Sequence, residues 1–132
     1  MNYNFHRSHE DLSHRMLNAI EPGTDIPIHR HSTKDESFVI LRGKVRSTTY
    51  NDDGSMIESV VLSLEEGRYG VDIPKGVWHK LESLESGSVV FECKEGVEIV
   101  QRECLSASRP VCAARGAFAL HEGDGILEFP KK

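Results

Sequence analysis

The sequence contains no apolar run close to the ~20 residues that a membrane-spanning helix requires. Its N-terminus, MNYNFHRSHEDLSHR, is polar and lacks the apolar stretch of a secretory signal. It has no basic block either, because 16 Lys and Arg are interspersed with 21 Asp and Glu. These absences argue against a membrane span, a secreted precursor and a general nucleic-acid surface. They favour a cytoplasmic protein with a small-molecule partner.

Cysteine is also scarce. Cys93, Cys104 and Cys112 are odd in number and form no CxxC pair, so we expect reduced thiols of a cytoplasmic protein. The chain shows no Ser/His/Asp order, no glycine-rich phosphate loop and no convincing long helix. Its 132 residues suffice for one domain with a core of its own.

What the sequence does contain is a regular series of short apolar and β-branched runs separated by turn residues. Asn51-Asp52-Asp53-Gly54 is the strongest hairpin signal among the turns. This spacing predicts an antiparallel sandwich or barrel. The predicted strands are residues 26–31, 36–41, 45–50, 56–64, 69–73 and 89–93, with 3–6 and 97–102 as further candidates. Residues 16–20 could form a strand or one helical turn.

The histidines point to metal binding. His29 and His31 are one residue apart in the predicted strand 26–31, so their side chains would point to the same face. Glu36 follows after a short polar turn and opens the next apolar run. Such a hairpin places a carboxylate beside two imidazoles. With a further histidine it would form a site of nitrogen and oxygen ligands for Zn, Fe, Mn, Ni, Co or Cu.

The same residues resemble the first motif of the cupin superfamily, G(X)5HXH(X)3–4E(X)6G. Gly23, His29, His31, Glu36 and Gly43 meet each of its fixed positions. A surface pair of histidines on an edge strand would be the simpler interpretation of an isolated HRH. The agreement at all the other positions favours the metal site.

A second cupin motif, G(X)5PXG(X)2H(X)3N, is met in its central part by Pro74, Gly76 and His79. Its leading glycine is displaced by one residue, at Gly67, and Ser83 replaces its final asparagine. That asparagine is not a usual metal ligand, so the metal prediction is unaffected.

A closer likeness covers about residues 4–96. The segments HRMLNAIEPGT, PIHRH and VDIPKGVWH resemble the WbuC-type cupin fold metalloproteins. Such proteins are often found with genes for bacterial surface polysaccharide, and their reaction is not established. The Pro/Trp-rich end of many members is missing after Gly96.

The resemblance implies an all-β, single-domain cupin: a double-stranded β-helix, or jelly-roll barrel, with a short N-terminal extension and a C-terminal tail. We assign residues 1–104 to the barrel and 105–132 to the tail, as an extra strand or docking arm. The implied metal ligands are His29, His31, Glu36 and His79. Cupins sometimes keep the carboxylate outside the coordination sphere, so Glu36 could instead orient a ligand or a water.

Four residues are candidates for a substrate pocket. Phe38 and Ile40 lie two and four residues after Glu36, so they point to the same face of the predicted strand. They would line the pocket or simply pack in the core. Arg15 could face the cavity and bind a carboxylate or phosphate, or form a surface ion pair. His6 could approach the site from the first strand.

The predicted site is compatible with two kinds of function. One is a metal-dependent enzyme acting on a small polar molecule, sugar-related by resemblance, with an Fe-dependent dioxygenase as a further alternative. The other is a cupin that binds a small molecule without turnover. Neither requires nucleic acid or a membrane, and the resemblance also implies a homodimer. No general acid or base near the metal can be assigned from the sequence.

Overall fold

A computed structural model describes residues 1–95 of the chain. These residues form eight β-strands and no helix, and thus contain no helix that could span a membrane. The strands are β1 (Asn2–Asn4), β2 (Ser13–Ile20), β3 (Glu36–Arg42), β4 (Lys44–Tyr50), β5 (Met56–Ser63), β6 (Gly70–Ile73), β7 (Trp78–Ser83) and β8 (Ser88–Glu95). The tail at 105–132 and the candidate strand 97–102 lie outside the described residues.

The strands form two antiparallel sheets. One has five strands in the order β1-β2-β8-β3-β6, and the other has three in the order β5-β4-β7. The chain crosses from the first sheet to the second between β3 and β4, at Gly43, whose φ of 76° lies in the left-handed region. The predicted all-β jelly-roll cupin fold is confirmed.

The core lies between the two sheets because each strand turns alternate side chains inward. In β3, the inward residues are Glu36, Phe38 and Ile40, whereas Val39 and Leu41 are exposed. The core cluster takes residues from both sheets: Ile20, Phe38, Ile40, Val45, Leu62, Ile73, Leu81 and Val90.

Most of the predicted strands are present. The hairpin predicted at Asn51–Gly54 joins β4 and β5, and its turn is closed by hydrogen bonds between Asn51 and Ser55 and between Gly54 and Asn51. The ambiguous residues 16–20 belong to β2, which pairs with β8 along its whole length.

The predicted strand at residues 26–31 is wrong. The chain there has no extended ladder and forms only an isolated bridge between His29 and His79. Pro27 lies within this stretch and has no N–H to donate to a ladder. The segment is therefore a loop, anchored to β7 at His29.

Candidate metal centre

The four predicted ligands come from three parts of the fold. His29 and His31 lie on the loop between β2 and β3, Glu36 is the first residue of β3, and His79 is the second residue of β7. One potential ligand atom from each of the four lies within 4.8 Å of all the others. His31, Glu36 and His79 are buried, and His29 is half-buried. The centre therefore lies between the two sheets.

Backbone hydrogen bonds hold the histidine loop against β7. The N–H of His29 donates to the carbonyl of His79 at 3.0 Å, and the N–H of His79 donates back to His29 at 2.8 Å. The N–H of Gly76 donates to the carbonyl of His31 at 2.7 Å. The Pro74–Gly76 turn thus fixes the loop and directs the chain into His79. This accounts physically for the spacing of the two sequence motifs.

In two of the candidate ligands, His29 and His79, the Nδ1 atom forms a hydrogen bond with a backbone carbonyl. His29 Nδ1 lies 3.0 Å from the carbonyl oxygen of Pro27, and His79 Nδ1 lies 2.9 Å from that of Val77. A carbonyl only accepts, so each Nδ1 carries a hydrogen and each neutral ring has its lone pair on Nε2. This is the orientation in which histidine binds metals in proteins.

The distances around Glu36 test whether these residues fit a cation. Glu36 Oε2 lies 2.9 Å from His79 Nε2 and 3.3 Å from His31 Nε2. Because His79 donates from Nδ1, its neutral ring turns a lone pair toward a carboxylate oxygen, which is repulsive. A positive charge between the two atoms, supplied by a metal or by a second proton on the ring, removes the repulsion. The donor set of three imidazoles and one carboxylate fits a divalent transition metal.

The electrostatics keep two of the candidate ligands, His29 and Glu36, in their metal-binding forms. Burial, reinforced by the neighbouring His79, lowers the pKa of His29 to about 3, so the ring is neutral at physiological pH. Burial alone would raise the pKa of Glu36. The positive charge of Lys94 instead holds the pKa of Glu36 well below 4.5. Glu36 is therefore a carboxylate.

Sequence reasoning missed a polar network beside Glu36. Lys94 Nζ lies 3.4 Å from Glu36 Oε1 and 2.8 Å from Glu92 Oε1. Asn18 Nδ2 donates to the other oxygen of Glu92. Burial raises the pKa of Glu92 to about 7. The sequence does contain one indication of this network. Glu92 and Lys94 lie two and four residues after the apolar Val90 in β8, so their side chains point inward with it.

A cavity of about 230 Å³ opens beside this centre. His29, Glu36 and His79 form part of its lining, so a ligand in the cavity would meet the metal directly. Phe38 also lines it, although it belongs to the core cluster as well. Ile40 is fully buried in the core cluster and does not line this cavity, so plain core packing was the correct alternative.

Neither Arg15 nor His6 lines the cavity beside the centre. Arg15 is exposed, because its neighbours His14 and Met16 take the inward positions of β2 and the pleat turns Arg15 outward. His6 is buried, but its ring stacks on His14 with centroids 4.5 Å apart. Its Nδ1 accepts a hydrogen bond from the backbone N–H of Arg15 at 3.2 Å, just beyond the last residue pair of β1 and β2. His6 lines a separate cavity with Asn4, Arg7, Ser8 and His9.

Comparison with known proteins supports the fold. A family described as a domain of unknown function, DUF6016, matches residues 1–62. No curated protein sequence matches the chain. The solved structures that resemble it include the capsular polysaccharide assembling protein CapF from Staphylococcus aureus, with 24% identity and a TM-score of 0.59 over 75% of this chain. CapF has also been solved with the inhibitor 3-isopropenyl-tropolone, and that structure is 25% identical over 75% of this chain, with a TM-score of 0.59.

Two further structural neighbours are closer in size. A dTDP sugar isomerase from Desulfovibrio desulfuricans matches with 16% identity and a TM-score of 0.62, covering 77% of this chain and 69% of that one. The protein SO0799 from Shewanella oneidensis matches with 18% identity and a TM-score of 0.60, covering 78% and 72%. By contrast, the chain spans only 27% and 28% of the two CapF structures. The fold is that of a cupin, and its buried cluster of three histidines and a glutamate could hold a metal.

Proposed function

We propose that the protein is a metal-dependent cupin that binds a small molecule at a divalent transition metal held by His29, His31, Glu36 and His79. The contact between His79 Nε2 and Glu36 Oε2 at 2.9 Å carries this proposal, since His79 already donates from Nδ1. A bound metal would supply Lewis acidity or activate a water molecule. Zn, Fe, Mn, Ni, Co and Cu all suit the ligand set.

The chain's own residues would prepare the site in three ways. The carbonyls of Pro27 and Val77 fix the tautomers of His29 and His79. Lys94 holds one oxygen of Glu36 and leaves the other facing the histidines. The cavity beside the centre gives a ligand direct access to it.

Metal analysis tests the proposal. Protein purified without added metal, and the same protein loaded with Co(II) or Zn(II), should retain stoichiometric metal after desalting. His31→Ala and His79→Ala should lose it, whereas His14→Ala should not, because His14 is a buried histidine outside the cluster. Equal metal content in all four proteins would refute the assignment. A circular dichroism spectrum of each variant checks that it is folded.

A sugar-related role is the second candidate function. CapF is described as a capsular polysaccharide assembling protein, and the Desulfovibrio neighbour is a dTDP sugar isomerase. The WbuC-type resemblance points the same way, toward surface polysaccharide biosynthesis. The alternatives to an isomerase-like enzyme are an Fe-dependent dioxygenase and a binding protein without turnover.

Turnover separates these alternatives. Metal-loaded protein is incubated with sugar nucleotides and with keto acids, in the presence and absence of O₂, and products are followed by mass spectrometry. Conversion that needs O₂ and Fe(II) would support the dioxygenase, and isomerisation without O₂ would support a sugar enzyme. Ligand capture without any product would support the binding protein.

The remaining predictions extend the proposal to the whole chain. We propose that the barrel ends near residue 104 and that residues 105–132 act as a tail that docks on the barrel or on a second copy. A homodimer in the cytoplasm is part of the same proposal. Size-exclusion chromatography with light scattering, on the full chain and on a 1–104 truncation, tests whether the protein is a dimer and whether the tail is needed for it.

A further inference from the structure

The walls of the cavity beside the candidate metal centre are mostly apolar. Apart from the groups at the metal end, the lining comes largely from aliphatic and aromatic side chains, among them Met16, Ile20, Ile26, Phe38 and Leu81. Met16 is 1% exposed and Phe38 is 4% exposed, so these walls are well shielded from solvent. A hydroxyl group placed against them would give up its hydrogen bonds to water without replacement.

Among the polar residues of the lining, Asn18, Thr24, Glu36, Glu92 and Lys94 already form side-chain hydrogen bonds within the protein. Lys94 donates to Glu36 and Glu92, and Asn18 donates to Glu92. The hydroxyl of Thr24 donates to the carbonyl of Glu21 at 2.7 Å. A polyhydroxylated ligand would have to compete with these bonds for the few polar groups of the lining. The cavity is therefore poorly suited to a sugar ring.

The charges at the metal end favour an anion. Metal-bound histidines are neutral, so the charged groups that residues 1–95 place around a divalent metal here are the Lys94 ammonium and the carboxylates of Glu36 and Glu92. Even with Glu92 fully ionised, the metal and Lys94 outweigh the two carboxylates by one unit of charge. The excess lies in a buried site, where an opposite charge on the ligand is favourable.

The size of the cavity limits the ligand. Its volume of about 230 Å³ is below the ~300–1,000 Å³ of sites for drug-sized molecules. A whole sugar nucleotide is larger than this space, whereas a small organic acid with one hydrophobic substituent is of the right size.

We infer that the ligand entering this cavity is a small organic anion with a metal-chelating pair of oxygens at one end and an apolar body at the other. An α-hydroxy or α-keto carboxylate with a hydrophobic substituent is the chemical class. The oxygens meet the metal between Glu36 and His79, and the body packs against Met16, Phe38 and Leu81. This inference rests on the proposed metal site, narrows its ligand and argues against the sugar-related candidate.

Three α-hydroxy acids with the same chelating end test it. Glycolate is that end alone, mandelate adds a phenyl ring, and gluconate adds a polyol chain. Binding to the Co(II)-loaded full chain is followed by calorimetry and by the visible absorption of Co(II). We expect mandelate to bind at least about tenfold more tightly than glycolate, because the ring is removed from water. Gluconate should bind no more tightly than glycolate.

A pair of matched variants locates the effect. Met16→Gln places an amide of similar size in the cavity wall and should remove about tenfold of the preference for mandelate. Met56→Gln makes the same change at an exposed position of β5 and should leave the preference intact. Met16→Leu keeps an apolar wall and should retain the preference, which separates the polarity of the wall from a folding defect.

The outcomes distinguish this inference from the proposal on which it rests. If the chain takes up no Co(II), the metal site fails and the inference fails with it. If Co(II) binds but gluconate binds as tightly as mandelate, only the apolar-bodied ligand is refuted. The apolar-bodied ligand is also refuted if Co(II) binds but none of the three acids does. It is refuted as well if Met56→Gln weakens the binding of mandelate as much as Met16→Gln does.

Discussion

Lys94 lies between two buried carboxylates, 2.8 Å from Glu92 and 3.4 Å from Glu36. Only 9% of its side chain is exposed. Burial, together with the negative charge of Glu36, raises the pKa of Glu92, and the Lys94 ammonium opposes both effects by stabilising the carboxylate. Lys94 therefore allows an acidic pair to remain beside the candidate ligands.

Replacing Lys94 by Met should cost about 3–5 kcal/mol of unfolding free energy in the metal-free protein, because a buried ion pair loses one partner. Urea unfolding monitored by tryptophan fluorescence measures the loss. The double variant Lys94→Met/Glu92→Gln removes one charge of each sign and should recover a large part of it. A double variant as unstable as the single one would show that the charges do not cause the effect.

His14 gives the fold a defined response to acid. Burial lowers its pKa from 6.5, so the folded protein binds the proton less readily than the unfolded chain. The unfolded state then carries more protons below pH 6.5, and stability present above that pH is lost as the pH falls. In His14→Gln, this contribution should be missing. The difference between its urea midpoints at pH 7.5 and pH 5.5 should be smaller than that of the wild type, with both proteins metal-free. An equal difference between the urea midpoints of the two proteins would contradict the assignment of this acid response to His14.

At the scale of elements, the turn that connects β3 to β4 is sterically constrained. Gly43 has a φ of 76°, and a Cβ built there would overlap Ser88 of β8. The hydroxyl of Ser88 also accepts from the N–H of Lys44 at 3.1 Å, so Ser88 is not free to move away. The turn that carries the chain from one sheet to the other thus depends on the absence of a side chain.

Gly43→Ala should destabilise the protein by more than Gly23→Ala. At Gly23 the φ is 84° but nothing lies within 4 Å of an added Cβ, so only the backbone cost of about 1–2 kcal/mol applies. At Gly43 the overlap with Ser88 adds to that cost. Thermal unfolding of the two variants provides the comparison, and equal losses would show that packing at Ser88 does not matter.

At the scale of the whole molecule, the candidate metal centre joins the two sheets. Glu36 belongs to the five-stranded sheet and His79 to the three-stranded one, and the loop with His29 and His31 lies against both strands. A metal bound there would link the two sheets directly. A ligand that binds only the folded state raises its stability by mass action.

Metal binding should therefore raise the unfolding temperature. With free metal at about a hundredfold of its dissociation constant, the gain is about 2.7 kcal/mol, and it should be reversed by a chelator. Differential scanning fluorimetry with and without Co(II) measures it. His79→Ala should show no rise, whereas Met56→Gln should behave like the wild type. A rise of equal size in His79→Ala would place the stabilising metal elsewhere.

Much of the fold could be predicted because local rules agree with it. The hairpin at Asn51–Gly54 and the inward parity of Phe38 and Ile40 follow from turn chemistry and the period of two. The loop at residues 26–31 was predicted incorrectly because its apolar residues resemble a strand, whereas its hydrogen bonds go to Gly76 and His79. Pairing of that kind depends on a distant segment.

The outcome at Arg15 has a similar cause. Parity assigns Arg15 and Met16 to opposite faces, but only the packing of β2 against the core determines which of the two faces inward. Lys94 was missed because its importance depends on the register of β8 against β3, which places it opposite Glu36. The sequence around Lys94 does not indicate that Glu36 is its neighbour in the folded protein.

The sequence alone determined the residue types and spacing of the candidate ligands, because histidine and glutamate bind metals by their own chemistry and the glycines set the turns around them. Tertiary structure decided the rest. It brought His79 to the histidine loop through a pair of backbone hydrogen bonds, placed Lys94 beside Glu36 and left an apolar cavity at the centre. Those relations join residues 43 to 58 positions apart in the chain, and only the packing of two sheets creates them.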